Sequence, residues 1–189
     1  IAWSNDDMPE LGGDTPIEQC LEEASLAGFT GIELGGKFPR NPGITNFLLK
    51  KYNLKILEDA SHAHGAVYKG KPIGSVGDVS VFSMQGNKLC PSGEGGILLC
   101  DSDEMYESAI RLGHYERLLG LESKNKYFAA TGFGFKFRMA PMSAALALSQ
   151  LNRMDERNAQ RNENCRVVSE KLEALGFDTF IPENDISRV

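Results

Sequence analysis

The stretch Leu54–Cys100, LKILEDASHAHGAVYKGKPIGSVGDVSVFSMQGNKLCPSGEGGILLC, decides the fold. It contains three short apolar runs bounded by polar turns, the pattern of buried strands. The first, Leu54–Leu57, closes on Glu58-Asp59. The second, Asp78–Met84, closes on Gln85-Gly86-Asn87-Lys88. The third, Gly96–Cys100, is entered from the turn Ser92-Gly93-Glu94-Gly95. In open α/β sheets ligands gather at the carboxyl ends of strands. Here those ends carry an acid (Asp59), an imidazole (His62), a hydroxyl (Ser83) and an amine (Lys88).

These four groups have a shared chemical logic. A lysine amine bonds covalently to a carbonyl carbon. Pyridoxal phosphate asks for such a lysine, for a carboxylate that keeps its ring nitrogen protonated, and for donors to its phosphate. Lys88, Asp59 and Ser83 match those needs in turn, and His62 is placed to reach the ring face or the ring hydroxyl. From residue types alone an ordinary exposed lysine at a turn is the commoner reading.

The motifs are more specific than the residue types. EDASHAHGA (58–66), GSVGDVSVFSMQGNK (74–88) and GEGG (93–96) stand in the order and spacing of the DegT/StrS pyridoxal-phosphate-dependent sugar aminotransferases. The chain resembles that family from about Lys50 to Gly176. The resemblance implies that Asp59 pairs with the pyridinium nitrogen and that His62 lies beside the ring. It also implies that Ser83 binds phosphate and that Lys88 bonds the aldehyde carbon. Lysine at position 88 argues against the dehydratase branch of the family, which carries histidine there.

Composition narrows the field. A chain of 189 residues is long enough for a real core. With 41% hydrophobic and 24% charged residues it is ordinary for a globular protein. The net charge of −6, with no basic cluster, gives no footprint for nucleic acid. No apolar run of about 18 residues suggests a membrane span, and no secretory signal pattern opens the chain. Cys20, Cys90, Cys100 and Cys165 are scattered without a C-x-x-C pair, so structural zinc is not expected and reduced thiols in a cytoplasmic protein are. Cys90, close to Lys88, reads as a small buried side chain.

Upstream, Ile1-Ala2-Trp3 reads as a strand and residues 5–14 as a polar loop. Thr15, Pro16 and Glu18 form a helix start, with Thr15 as cap and Pro16 at the first helical position. Ile17, Leu21 and Ala24 make its apolar stripe, Gly28 ends it, and Thr30–Leu34 reads as a second strand. The expected unit is β-α-β. IAWSNDDMPELGGDTPIEQCLEEASLAGFTGIELGGKFPR (1–40) resembles the opening of myo-inosose dehydratase, a TIM-barrel protein of the sugar-phosphate isomerase/epimerase type. Asp6, Asp7 and Glu33 are read there as a solvated loop and a strand-end acid, since a quarter barrel cannot assemble a site drawn from many strands. A helix capped by Thr45 or Asn46 and running to Asn53 joins the two parts.

Downstream, Asp101 or Ser102 caps a helix over Glu104–Leu112, and residues 117–134 read as loop with Tyr127 and Phe128 as packing anchors. His114, in a post-helix loop, reads as solvated rather than substrate-facing. Phe133–Met139 (FGFKFRM) resembles the family's second motif, where an asparagine reaches the phosphate held by a neighbouring subunit. Lys136 stands at that place and can still donate to phosphate as a point charge. Ala144, Ala145, Leu148 and Leu151 stripe a further helix. A charged helix over Asn152–Leu175, ended by Gly176, reads as a solvated face.

The expected fold is therefore α/β: a partial large domain of a fold-type I pyridoxal-phosphate aminotransferase, preceded by a β-α-β unit like the start of a TIM barrel. The expected organisation is 1–45 barrel-like, 46–176 aminotransferase large domain, and 177–189 the entry to a small domain. The resemblance implies transfer of an amino group from glutamate or glutamine to a keto-sugar or keto-cyclitol, in a homodimer, without a metal. The alternatives are a non-catalytic chimeric α/β chain and an inosose dehydratase-like lyase. Because no phosphate-cradling helix start and no ring-stacking aromatic are identifiable, the chain by itself is expected to turn over poorly.

Overall fold

The computed structural model describes residues 14–131 and 134–179. The chain divides into two compact units, Ile1–Lys55 and Ile56–Val189. Ile1-Ala2-Trp3, Asp6, Asp7, Phe133, Phe180 and Ile181 fall outside the described residues.

The described part of the first unit is two helices, α1 (Ile17–Leu26) and α2 (Pro42–Lys51). Ile17, Cys20 and Leu21 of α1 meet Leu48 of α2 in a small core, with Ile32, Phe38, Tyr52 and Leu54 packed around it. Three expectations need correction here. Pro16, not Thr15, occupies the cap position of α1, and no side chain caps it. The Thr15 carbonyl instead accepts a hydrogen bond from Lys37 Nζ at 2.6 Å. The second helix begins at Pro42, with Asn41 as cap accepting from Gly43 N–H at 2.8 Å. Pro42 fixes the helical φ at the first turn, where its missing N–H costs nothing. Thr45 lies inside that helix and bonds back to the Pro39 carbonyl at 2.7 Å. Finally, Thr30–Leu34 is not a strand. No described residue of this unit forms a ladder with it, and an extended run without a neighbour leaves its N–H and C=O groups to water. The β-α-β unit is therefore not formed among the described residues.

The second unit is built on a three-stranded sheet of order β1-β4-β5: β1 (Leu57–Asp59), β4 (Val79–Ser83) and β5 (Gly96–Cys100). β1 runs parallel to β4 with Asp59 opposite Val81, and β5 runs antiparallel to β4 with Gly96 opposite Ser83. The first strand thus lies three residues later than its apolar run suggested. Ile56 precedes the ladder, donating to Asp78 Oδ2 at 2.8 Å and accepting from Val79 N–H at 3.2 Å. The acids Glu58 and Asp59 are in the strand, not in a turn after it. A small antiparallel ribbon, β2 (Val67–Tyr68) with β3 (Lys71–Pro72), fills the connection. Its turn residues Lys69 and Gly70 both take positive φ.

After β5, Ser102 caps α3 (Asp103–Gly113) by accepting from Met105 N–H at 3.2 Å. Asp103 and Glu104 at its start and Arg111 near its end complement the helix dipole. Residues expected to be loop form a 3-10 helix at Tyr115–Gly120 and a short helix, α4 (Phe128–Thr131). Leu118 is fully buried and anchors that region, whereas Tyr127, expected as an anchor, is exposed, its ring tilted against that of Phe128 with centroids 4.0 Å apart. α5 (Pro141–Leu151) buries Ala147 against Met84 and Cys90, so the inward face is not the expected stripe of Ala144, Ala145, Leu148 and Leu151. Leu148 and Leu151 are exposed. α6 (Met154–Ala174) is polar around its circumference and has one buried residue, Asn158. Gly176, at φ +84°, turns the chain out of it, as expected.

Candidate active site

The strand register sorts β1 and β4 into two faces. Side chains alternate along a strand and align across a ladder. Asp59, Val81 and Ser83 therefore share one face, and Glu58, Ser80 and Phe82 share the other.

The second face is a frame. Glu58 Oε1 accepts from Gly74 N–H at 2.8 Å, and its Oε2 accepts from Val76 and Gly77 N–H at 3.2 and 3.1 Å. One carboxylate thus gathers three main-chain donors of the loop between β3 and β4. Ser80 Oγ closes the same loop by donating to the Gly74 carbonyl at 2.8 Å. Gly74, at φ +92°, has no room for a side chain: a Cβ there would meet the Phe82 ring at 2.5 Å. The Gly-Ser-Val-Gly sequence is the wrapping of Glu58. Sequence reading missed this role, although an acid inside a strand paired with a Gly-x-x-Gly loop is its signal.

The first face carries the residues that the sequence singles out. Asp59, at the end of β1, accepts from Ser61 N–H at 3.0 Å. Hydrogen bonds from the Ser61 hydroxyl and main chain hold the Asp59 carboxyl below its usual range, with smaller electrostatic help from the neighbouring His62 and Lys88. Lys88 Nζ lies 2.8 Å from His62 Nε2. The lysine sits in the loop after β4, whose base is closed by Ser92 N–H to Met84 O at 2.7 Å and by Met84 N–H to Gly95 O at 2.9 Å. Ser83 ends β4 on the same face, two residues past Val81, and its Oγ accepts from Gln85 N–H at 3.4 Å. Because β5 is antiparallel, the glycine-rich turn that enters it lies at this same end of the sheet. Asp59, His62 and Lys88 are thus brought together, with Ser83 beside them on the strand end.

Beneath them is His64, almost wholly buried, its ring edge-on to Phe82 at 5.2 Å. Neither ring nitrogen reaches a hydrogen-bond partner in good geometry. Burial pushes its pKa down, against a smaller upward pull from the Ser83 main chain. Cys90 is also fully buried, and burial pushes its thiol up, which suits a packing role.

Lys136 lies in a different set of contacts. It bridges His114 in extended pairing, and its Nζ is 3.0 Å from Glu116 Oε1, while Arg138 Nη1 is 3.2 Å from Glu116 Oε2. The Lys136 hydrogen bond holds the Glu116 carboxyl low, and Glu116 in turn raises the Lys136 amine. His114 is half-buried and lines an open cavity of about 1020 Å³ with Tyr106, Ile110 and Phe137. Burial and the neighbouring arginines push its pKa down. Among the described residues there is no cluster of His, Cys, Asp and Glu that could hold a metal, and no helix long and apolar enough to cross a membrane.

Comparison with known proteins gives the same picture. Residues 30–188 match the DegT/DnrJ/EryC1/StrS aminotransferase family. GDP-perosamine synthase of Caulobacter vibrioides is 37% identical over 127 residues, which is 67% of this chain and 33% of that protein. A putative L-glutamine:3-amino-2,3-dideoxy-scyllo-inosose aminotransferase of Micromonospora echinospora is 33% identical over 85% of this chain and 37% of its own length. Among solved structures, S. venezuelae DesV in complex with a ketimine intermediate superposes with a TM-score of 0.57 at 28% identity, covering 78% of this chain and 38% of that one. The chain spans between a third and about a half of the length of the curated relatives it matches. With a family match over residues 30–188, the chain belongs to the DegT/DnrJ/EryC1/StrS aminotransferase family.

Proposed function

We propose that this chain is part of a pyridoxal-phosphate-dependent aminotransferase that moves an amino group from glutamate or glutamine to a keto-sugar or keto-cyclitol. The observation that carries the reading is the Lys88 amine at 2.8 Å from His62 with the Asp59 carboxylate beside them. These residues suit the cofactor by donor type. Asp59, kept ionised by its Ser61 bonds, can hold a proton on a ring nitrogen. Ser83 offers a hydroxyl to phosphate, and Lys88 offers the amine that bonds an aldehyde carbon. His62 lies where it can border the ring. Lys136, freed from Glu116, can donate to a phosphate held by a second subunit.

When bound, pyridoxal phosphate supplies the carbonyl that carries the migrating amine and a ring that withdraws electrons from the adjacent carbon. The chain's own part is binding and proton handling. A 2.8 Å contact between Lys88 Nζ and His62 Nε2 needs a donor on one side and an acceptor on the other, so the pair shares one proton along it. Once its covalent bond is released, a Lys88 amine so placed can take a proton and return it. The sugar or cyclitol acceptor is supported by the names of the relatives, several of which act on nucleotide-linked sugars or inososes. The same family reading supports a homodimer, and the four free cysteines suit a cytoplasmic setting.

The division 46–176 is our assignment of the aminotransferase large-domain portion, with 177–189 leading into a small domain. The family match begins at residue 30, and one relative, a Campylobacter jejuni transaminase, aligns with the whole of this chain. The likeness of residues 1–40 to myo-inosose dehydratase stands on sequence alone. The test is to add pyridoxal phosphate to the purified chain, reduce with borohydride and map the labelled peptide. Label on Lys88 supports the assignment, and label on Lys71 or Lys136 in its place removes it. A screen of scyllo-inosose against nucleotide-linked keto-sugars, with glutamate or glutamine, decides the acceptor.

A further inference from the structure

The polar helix α6 reaches into the site through two of its residues. Asn158 is 7% exposed. Its Nδ2 donates to the His64 carbonyl at 2.9 Å, in the turn that follows Asp59. Its Oδ1 accepts from Arg161 Nη1 at 2.8 Å. The other guanidinium nitrogen, Arg161 Nη2, donates to the Leu89 carbonyl at 3.4 Å, one residue past Lys88. Gly65 makes the approach possible: it takes φ +81°, and a Cβ there would stand 2.7 Å from Asn158 Nδ2. A single two-residue unit on one helix therefore holds the turn bearing His62 and the loop bearing Lys88. Those segments are otherwise separate in sequence, and both their amine and imidazole are at the chain surface or half-buried.

We infer that Asn158 and Arg161 are positioning residues, a clasp that keeps the His62 turn and the Lys88 loop at the separation the 2.8 Å contact requires. The inference deepens the proposed function and rests on it only for the role of Lys88. Physically, the clasp works because both bonds end on main-chain carbonyls. A carbonyl that is fixed fixes the loop, whereas a bond to a side-chain tip would not. Asn158 is the centre, since it orients Arg161 as well as binding His64. The bonds are few, so the clasp acts on local opening of the two loops more than on the stability of the unit.

The clasp predicts an asymmetric pattern in the full chain. Asn158→Ala removes the His64 bond and the support of Arg161, so amide hydrogen exchange should accelerate about tenfold both in 62–66 and in 86–91, while β4 amides are unchanged. Arg161→Lys keeps the bond of Asn158 to His64 but loses the fork geometry, so acceleration should be confined to 86–91. In parallel, the yield of pyridoxal-phosphate label on Lys88 relative to Lys71 should fall about fivefold in each variant. The double variant should lose little more than Asn158→Ala, because the two residues act as one unit. Unchanged exchange in both segments, or acceleration spread evenly over the sheet, overturns the clasp. Should the parent chain label elsewhere than Lys88, the proposed function fails, and the exchange pattern still decides the clasp. If Asn158→Ala does not fold, Arg161→Lys alone decides it through the same confined pattern.

Discussion

Two groups of charged residues in the second unit look alike in composition and differ in how they are satisfied. At the strand end, Asp59, His62 and Lys88 face one another, and the lysine contacts an imidazole, not a carboxylate. Around residues 114–138, Lys136 and Arg138 both close on Glu116, so each of these cations has a carboxylate partner. A lysine held by a carboxylate is a stable cation and a poor nucleophile. A lysine held by an imidazole has a partner that can carry the proton instead. Under the proposed function, the lysine assigned to the chemistry is the one that pairs with an imidazole instead of a carboxylate. The sharpest way to break the comparison is Lys88→Ala, which removes the only amine of the open group. It should abolish reductive labelling at this site, a loss of about a hundredfold or more, since covalent attachment has no substitute there. Labelling that persists undiminished in the variant would mean that the open group is not the reacting one.

On the opposite face of the sheet from the open group, Glu58 frames the loop between β3 and β4. Glu58→Ala would leave the Gly74, Val76 and Gly77 N–H groups without their acceptor. Bonds to a charged acceptor are the stronger kind, and the loss should destabilise the unit by about 3 kcal/mol. Glu58→Gln, which keeps one carbonyl acceptor, should lose roughly half as much. Denaturant unfolding of the two variants checks both values. Equal stability of Glu58→Ala and the parent would show that the loop holds itself. Asp59→Asn, its neighbour on the opposite face, should leave stability nearly untouched while weakening the ring-nitrogen contact, so adjacent acids would separate into frame and function.

How much of this was legible in the sequence depended on whether the relevant partner lay nearby. The positions of Asp59, Ser83 and Lys88 at or just past strand ends are legible because short motifs carry them there, and β5 spans Gly96–Cys100 as its apolar run implies. Ser102 as cap of α3 and Gly176 as the end of α6 were legible for the same local reason. β1 was displaced because hydrophobicity marks where a strand is buried, not where its ladder pairs, and its paired residues include two acids. Thr30–Leu34 has strand-like residues but no described neighbour, and sequence alone does not show a missing partner. The role of Glu58 depends on donors 16 to 19 residues away. That of Asn158 depends on a carbonyl 94 residues away, so a helix that reads as a solvated face holds a buried contact. Helix α5 was misjudged because small residues on several faces leave the inward one undecided.

His64 sharpens the comparison from below, as a third basic group with neither a carboxylate nor a lysine against it. Burial holds its pKa below the ordinary imidazole value. The unfolded chain therefore takes up this proton more readily than the fold does. Its contribution to stability is complete above the unfolded-state value, about 6.5, and is lost as pH falls through that value toward the folded one. Melting temperature should decline by a few degrees across that window, and His64→Phe should flatten the decline. His114→Gln, at a half-buried position, should leave most of it in place. A decline that survives His64→Phe unchanged would assign the pH response to another group.

The smallest effect is expected from Lys136→Ala, in the closed group. Its ion pair with Glu116 is exposed, and such pairs add little to stability because water and salt screen them while the side chains lose freedom. Thermal unfolding should barely move. The carboxyl of Glu116 is the sensitive reporter. Its low pKa is owed first to the Lys136 hydrogen bond and charge and only then to Arg138. In Lys136→Ala, a carboxyl titration followed by NMR should move upward toward the ordinary value yet stay below it while Arg138 remains. Raising the salt concentration should shrink the difference between variant and parent. If Lys136 also donates to a phosphate across a subunit interface, the same variant should weaken pyridoxal phosphate binding a few-fold, in proportion to one point-charge contact. That loss should appear only at protein concentrations where the chain associates. An effect on Lys88 labelling as large as that of Lys88→Ala would erase the distinction between the open and the closed group, because it would make Lys136, paired with Glu116, as necessary as Lys88.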